Sequence, residues 1–89
     1  MIVFIAMQEN IVQTNTFLEK EELLKRIGEQ IVRIRQEKGW TQADLAKACD
    51  KDPQSIERVE NGKINASIYY LFEVANALNV PLSDLIKPT

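Results

Sequence analysis

Residues 41–62, TQADLAKACDKDPQSIERVENG, hold two short amphipathic stretches joined by the charged tripeptide Asp50-Lys51-Asp52. This segment limits the fold more tightly than any other. About three linking residues are too few for an antiparallel hairpin with long overlap, so the joint sets two short helices at a steep angle. Thr41 stands as N-cap of the first helix of the unit, with Asp44 at its third helical position. Asp52-Pro53 opens the second: an acceptor at the N-cap, then proline in the first turn. Asn61-Gly62 closes it. Close crossing of the two helices needs a small residue, and Ala46 stands where it is needed. Leu45, Ala48 and Cys49 are expected to point inward.

Winding the second helix at about 100° per residue puts Ile56, Val59 and Glu60 on one flank. Gln54, Glu57, Arg58 and Asn61 fall on the other. The first flank seats the helix on a core. The second is long, polar and rich in hydrogen-bonding groups. Glutamine pairs bidentately with adenine, and arginine with guanine, in the major groove of DNA. On an isolated helix Gln54 and Arg58 would read as an ordinary solvated face. Set in a steep two-helix unit, they read as base-contacting side chains. Glu60 is a carboxylate on the inward flank, costly there unless paired. Arg35 lies on the apolar stripe of the preceding helix, beside Ile31 and Ile34. Arg35 and Glu60 are therefore expected to meet as a partly buried ion pair.

The rest of the chain reads as three further helices. Thr16 and Glu19 form a capping-box pattern before a stripe of Leu24, Ile27, Ile31 and Ile34. Gly39 supplies a left-handed stop. Ser67 caps a helix carrying Leu71, Val74, Ala75 and Leu78, which Asn79 can end. A last short helix with Leu82, Leu85 and Ile86 follows Pro81. Gly28, Gly39, Gly62 and the three prolines are read as punctuation. Nothing alternates like a strand except residues 1–6. The expectation is an all-α, five-helix bundle over residues 16–89, preceded by an extension at 1–15. The opening MIVFIAM admits three readings: a true start at Met7, a frayed end, or a strand or arm on a partner subunit. It has no basic n-region or cleavage site and is too short to span a bilayer, so no membrane partner is expected.

An 89-residue chain leaves room for one domain. A net charge of −2 does not advertise a nucleic-acid partner, but charge is unevenly spread. Only residues 23–63, with nine Lys/Arg against seven Asp/Glu, are net positive. That stretch contains the two-helix unit. A single cysteine, Cys49, and no histidine exclude a disulfide framework and any usual zinc site. No metal or cofactor is expected, and a reducing cytoplasm fits. No nucleophile stands with a base, and no glycine-rich phosphate loop is present, so an enzyme is not expected.

GWTQADLAKACDKDPQSIERVENGK, with ALNVPLSDLI downstream, resembles the phage repressor and Cro type of helix-turn-helix domain, the XRE-like family, over about residues 23–86. The resemblance implies a sequence-specific, double-stranded-DNA-binding transcriptional regulator. One such domain reads only a few base pairs, too few for genomic selectivity, so a homodimer with half-sites about 34 Å apart is expected. By position, Gln54, Ser55 and Arg58 match base-contacting places. Thr41, Gln42, Asn61 and Lys63 match backbone-contacting places, together with the N-terminal ends of the second and fourth helices. Arg35 and Glu60 match an internal ion pair. Two residues depart from the pattern. Asp50 stands where the family favours glycine, and Lys51 replaces the apolar residue after it, from where it could still reach a phosphate. Val80, Pro81, Leu82 and Leu85 are the candidate dimer surface, with residues 2–5 as a further candidate, although these apolar side chains could equally be core. Alternatives are an antitoxin, a restriction-modification controller, or a module that has lost DNA and binds a partner protein; the acidic turn favours the last.

Overall fold

Five helices, α1 (Lys20–Glu37), α2 (Gln42–Ala48), α3 (Pro53–Glu60), α4 (Ile68–Leu78) and α5 (Ser83–Ile86), make up the computed structural model, which describes residues 19–87. No strand occurs among the described residues. No helix among them is long and apolar enough to cross a membrane. The readings placed on residues 1–15, including the arm, the strand at 1–6 and the contribution of 2–5 to a dimer, lie outside that range.

The start of α1 differs from expectation. Glu19 is extended in front of the helix and makes no side-chain capping bond, so it is not the third residue of a capping box. Thr16 lies outside the described residues. Glu21 and Glu22 in the first turn favour this start, because carboxylates suit the positive end of the helix dipole. The caps of α2, α3 and α4 fall at Thr41, Asp52 and Ser67, each accepting a hydrogen bond from a backbone N–H of its first turn.

Four helices end in one way. After α1, α2, α3 and α4 the chain turns left-handed at Gly39, Asp50, Gly62 and Asn79, with φ of 75°, 58°, 70° and 62°. In each case the next N–H reaches back to the carbonyl five residues earlier: Trp40 to Arg35, Lys51 to Ala46, Lys63 to Arg58, Val80 to Ala75. This paired closure satisfies carbonyls that a helix end leaves bare. Asp50 is the one acidic residue among the four, and short polar side chains tolerate that conformation better than most.

α3 lies between α1 and α2, α5 packs on α1, and α4 packs on α2. Ile31, Leu45, Ile56, Val74, Leu78 and Leu85 form the centre of the core. Ala46 is buried where α2 passes α3. Ala48, by contrast, is exposed, and Cys49 is only half-buried. Leu45 and Ala46 bracket the inward direction of α2, and Ala48 lies roughly 110° from its middle. Gly28 is not punctuation. It is buried in the middle of α1, where any Cβ would collide with the backbone carbonyl of Glu60. Glycine here lets α1 approach the end of α3. Gln30 is also buried, donating to the Asp84 carbonyl at 3.2 Å and so tying α1 to α5.

Candidate nucleic-acid interface

The inward flank of α3 is Ile56, Val59 and Glu60, all buried. Arg35 Nε donates to Glu60 Oε2 at 2.7 Å and Nη2 to Oε1 at 3.0 Å. The two side chains are 10% and 2% exposed. Arg35 Nη1 also donates to the Trp40 carbonyl at 2.8 Å, and Gln42 Nε2 donates to Glu60 Oε1 at 2.8 Å. The Arg35–Glu60 pair thus joins α1, the loop before α2, the first residue of α2 and the end of α3. A bidentate pair with its remaining groups satisfied is the arrangement in which a buried ion pair fixes geometry without leaving a bare charge.

Gln54 and Arg58 stand exposed on the opposite flank. Among the described residues neither side chain has a hydrogen-bond or ion-pair partner. Ser55 is half-buried, and its hydroxyl shares a 2.7 Å hydrogen bond with that of Tyr70 on α4. Burial pushes the Tyr70 phenol up, so the O–H stays protonated for this contact. Lys51 turns the same way. Its ammonium donates to Glu73 Oε1 at 2.5 Å and lies 4.7 Å from the centre of the Tyr70 ring. The bond to Glu73 holds the Lys51 ammonium above the ordinary lysine range.

Tyr70 and Glu73 were not identified from sequence. One signal could have found Glu73. A lysine in a normally apolar seat needs an acid, and Glu73 is the sole acid between Glu60 and Asp84.

The remaining expected contact residues differ in what they have free. Thr41 is exposed. Its backbone N–H donates to Asp44 Oδ2 at 2.8 Å, and its hydroxyl oxygen accepts from Asp44 N–H, leaving its own O–H as a donor. The Thr41 N–H holds the Asp44 carboxyl below its usual range. Gln42 keeps one of its two amide hydrogens. Asn61 has both on Glu57, at 3.0 Å to the carbonyl and 2.6 Å to Oε2. Lys63 is exposed, 3.8 Å from Glu57 Oε2. Burial pushes the Cys49 thiol up, so it remains a neutral S–H, donating to the Leu45 carbonyl at 3.1 Å. Of the candidate dimer residues, Leu85 is wholly buried in the core. Val80 and Leu82 pack against it, and Pro81 is exposed.

The helix-turn-helix family model HTH_3 matches residues 31–85. The chain belongs to this HTH_3 (XRE/Cro-type) family of DNA-binding transcriptional regulators. HTH_3 relatives are regulators, not enzymes. An uncharacterised HTH-type transcriptional regulator, y4dJ of Sinorhizobium fredii, is 32% identical over 68 residues, 76% of this chain and 88% of that one. Two crystal structures share the HTH_3 architecture. A hypothetical transcription factor, NHTF, from Neisseria superposes with a TM-score of 0.74 at 27% identity, over 80% of this chain and 82% of that one. The restriction-modification controller protein C.AhdI of Aeromonas hydrophila gives 0.68 at 29% identity, over 70% and 94%.

Proposed function

We propose that this regulator recognises a specific sequence in double-stranded DNA as a two-fold dimer, with α3 in the major groove. Gln54 and Arg58 read base edges. The Thr41 hydroxyl, the second amide hydrogen of Gln42 and the Lys63 ammonium hold phosphates. Asn61 takes a positioning part, because both of its amide hydrogens already serve Glu57. Lys51 gives one of its three ammonium hydrogens to Glu73 and Ser55 shares one hydrogen bond with Tyr70, so Lys51 can also reach a phosphate and Ser55 a base edge. Residues 16–89 form the DNA-binding unit, working in the cytoplasm. The observation that carries this reading is the pair of exposed tips, Gln54 and Arg58, without partners among the described residues, on a helix whose other flank is locked by Arg35–Glu60.

Selection of bound sites from random duplexes, run at two salt concentrations, tests it. A two-fold-symmetric site, with half-site centres one helical turn apart, is the expected result. Equal binding to all sequences, fading with salt, would leave only phosphate attraction. The likeness to a restriction-modification controller over 94% of that protein supports a second reading, a controller of its own operon. It predicts that the selected site lies in the promoter of this gene, beside nuclease and methyltransferase genes.

A further inference from the structure

The face bounded by the start of α1, the loop after α3, the N-terminal half of α4 and the end of α5 carries a groove beside a ridge. The groove, about 430 Å³, is lined by Leu23, Ile27, Val59, Ile64, Ile68 and Ile86 among others, and Asn65 is the one polar residue among the described residues that line it. The ridge continues from Ile68 along α4 to Tyr69 and Phe72, whose rings lie 6.3 Å apart, centre to centre. Ile68, Tyr69 and Phe72 are 65%, 66% and 45% exposed. We infer that this groove-and-ridge face, not the segment at Val80–Leu85, is where a second copy of the chain docks. The inference rests on the dimeric reading above and gives it a surface.

Three features select a second copy. The first is area. The exposed large apolar side chains of this face leave on the order of 500 Å² facing water, at the upper end of what a monomer leaves in one patch. A stable two-fold interface buries ~800 Å² per partner, about two-thirds of it apolar at the centre. The patch supplies that centre. The second is charge. In a two-fold contact a surface meets itself, so a charged lining would repel its own copy. Among the described residues no charged one lines this groove. The third is shape. A concave and a convex apolar feature on one face can both be covered at once by a second copy related by a two-fold axis, each copy's ridge entering the other's groove. A segment of the same chain lying in the groove would leave Tyr69 and Phe72 bare. The docked copy also leaves the DNA-facing flank free. Val59, in the groove wall, belongs to the inward flank of α3, away from Gln54 and Arg58.

Sedimentation equilibrium on the full chain tests the surface. Wild type should sediment at twice the chain mass, and Pro81→Glu should do the same. Ile68→Glu and Phe72→Glu, both at exposed positions, should raise the dimer dissociation constant at least ~100-fold with unchanged helical melts. A dimer that survives both substitutions overturns the surface and leaves the dimeric reading standing. A wild-type monomer at about 100 µM, far above the concentration range of a specific regulator, overturns both. Amide exchange on wild type gives an answer even if a variant fails to fold. Protection at residues 64–72 that rises with protein concentration supports the surface. A dimer that forms without protecting them overturns it.

Discussion

The two flanks of α3 are built from the same eight residues and differ in one respect. On the inward flank every polar group has a partner. Glu60 accepts from Arg35 twice and from Gln42 once, beneath the seal of Ile56 and Val59. On the outward flank the tips of Gln54 and Arg58 have none among the described residues. Polar groups left without protein partners are affordable only in water, where solvent satisfies them until a ligand takes its place. Rigidity is thus concentrated on one side of the helix and hydrogen-bonding capacity on the other. Stability and recognition should then respond to separate substitutions.

The sharpest way to break that separation is at Glu60. Glu60→Ala leaves the Arg35 guanidinium buried without its carboxylate and should lower unfolding stability by about 3–5 kcal/mol, read by denaturant titration. Replacing Arg35 and Glu60 together with apolar residues should recover much of the loss, because the cost lies in the stranded charge.

A second stress on the inward side is Gly28→Ala. The added methyl meets backbone at Glu60, not a side chain that could rotate away. Alanine favours helix intrinsically by ~1 kcal/mol, so helix propensity alone predicts stabilisation. Overpacking costs of about 1–3 kcal/mol predict a net loss, and a lower melting temperature would show that the crossing decides.

The smallest effect concerns the joint between the flanks and α4. Glu73 raises the Lys51 pKa in the folded state. Its contribution is therefore fully present below the unfolded-state lysine value, about 10.4, and disappears as pH rises through the higher folded value. Melting temperature against pH should fall more steeply above about pH 10.4 in wild type than in Lys51→Met. The difference between the two curves isolates Lys51 from the other titrating groups. Parallel curves would remove Lys51–Glu73 from the account.

What could be read in the sequence follows the range of each interaction. The flanks of α3 depend only on its winding and on a start fixed by Asp52-Pro53, all within ten residues. The left-handed stops at Gly39, Gly62 and Asn79 are equally local. Arg35 and Glu60 lie 25 residues apart, but a charged residue on each apolar flank pointed to the other. Gly28 carried no such mark. A mid-helix glycine reads as a weakness until another helix is known to cross there. Ser55–Tyr70 and Lys51–Glu73 depend on how α4 returns across α2, which no spacing encodes. Leu85 was ambiguous because a four-residue helix has too few turns to show which side faces in. The sequence points to Val80–Leu85, with residues 2–5, as a dimer surface, because only contiguous apolar residues stand out there; the apolar face exposed among the described residues is assembled from α1, the loop after α3, α4 and α5, which no contiguous stretch marks.

The division between the flanks is tested most directly at Arg58. The variant Arg58→Ala should be compared with wild type on the selected site and on its single-base variants, alongside a thermal melt. The melt should be unchanged, binding to the preferred site should weaken by about 1–3 kcal/mol, and preference should relax at one base position per half-site. A uniform loss across all sequences, with the salt slope reduced by about one, would contradict this and make Arg58 a phosphate clamp.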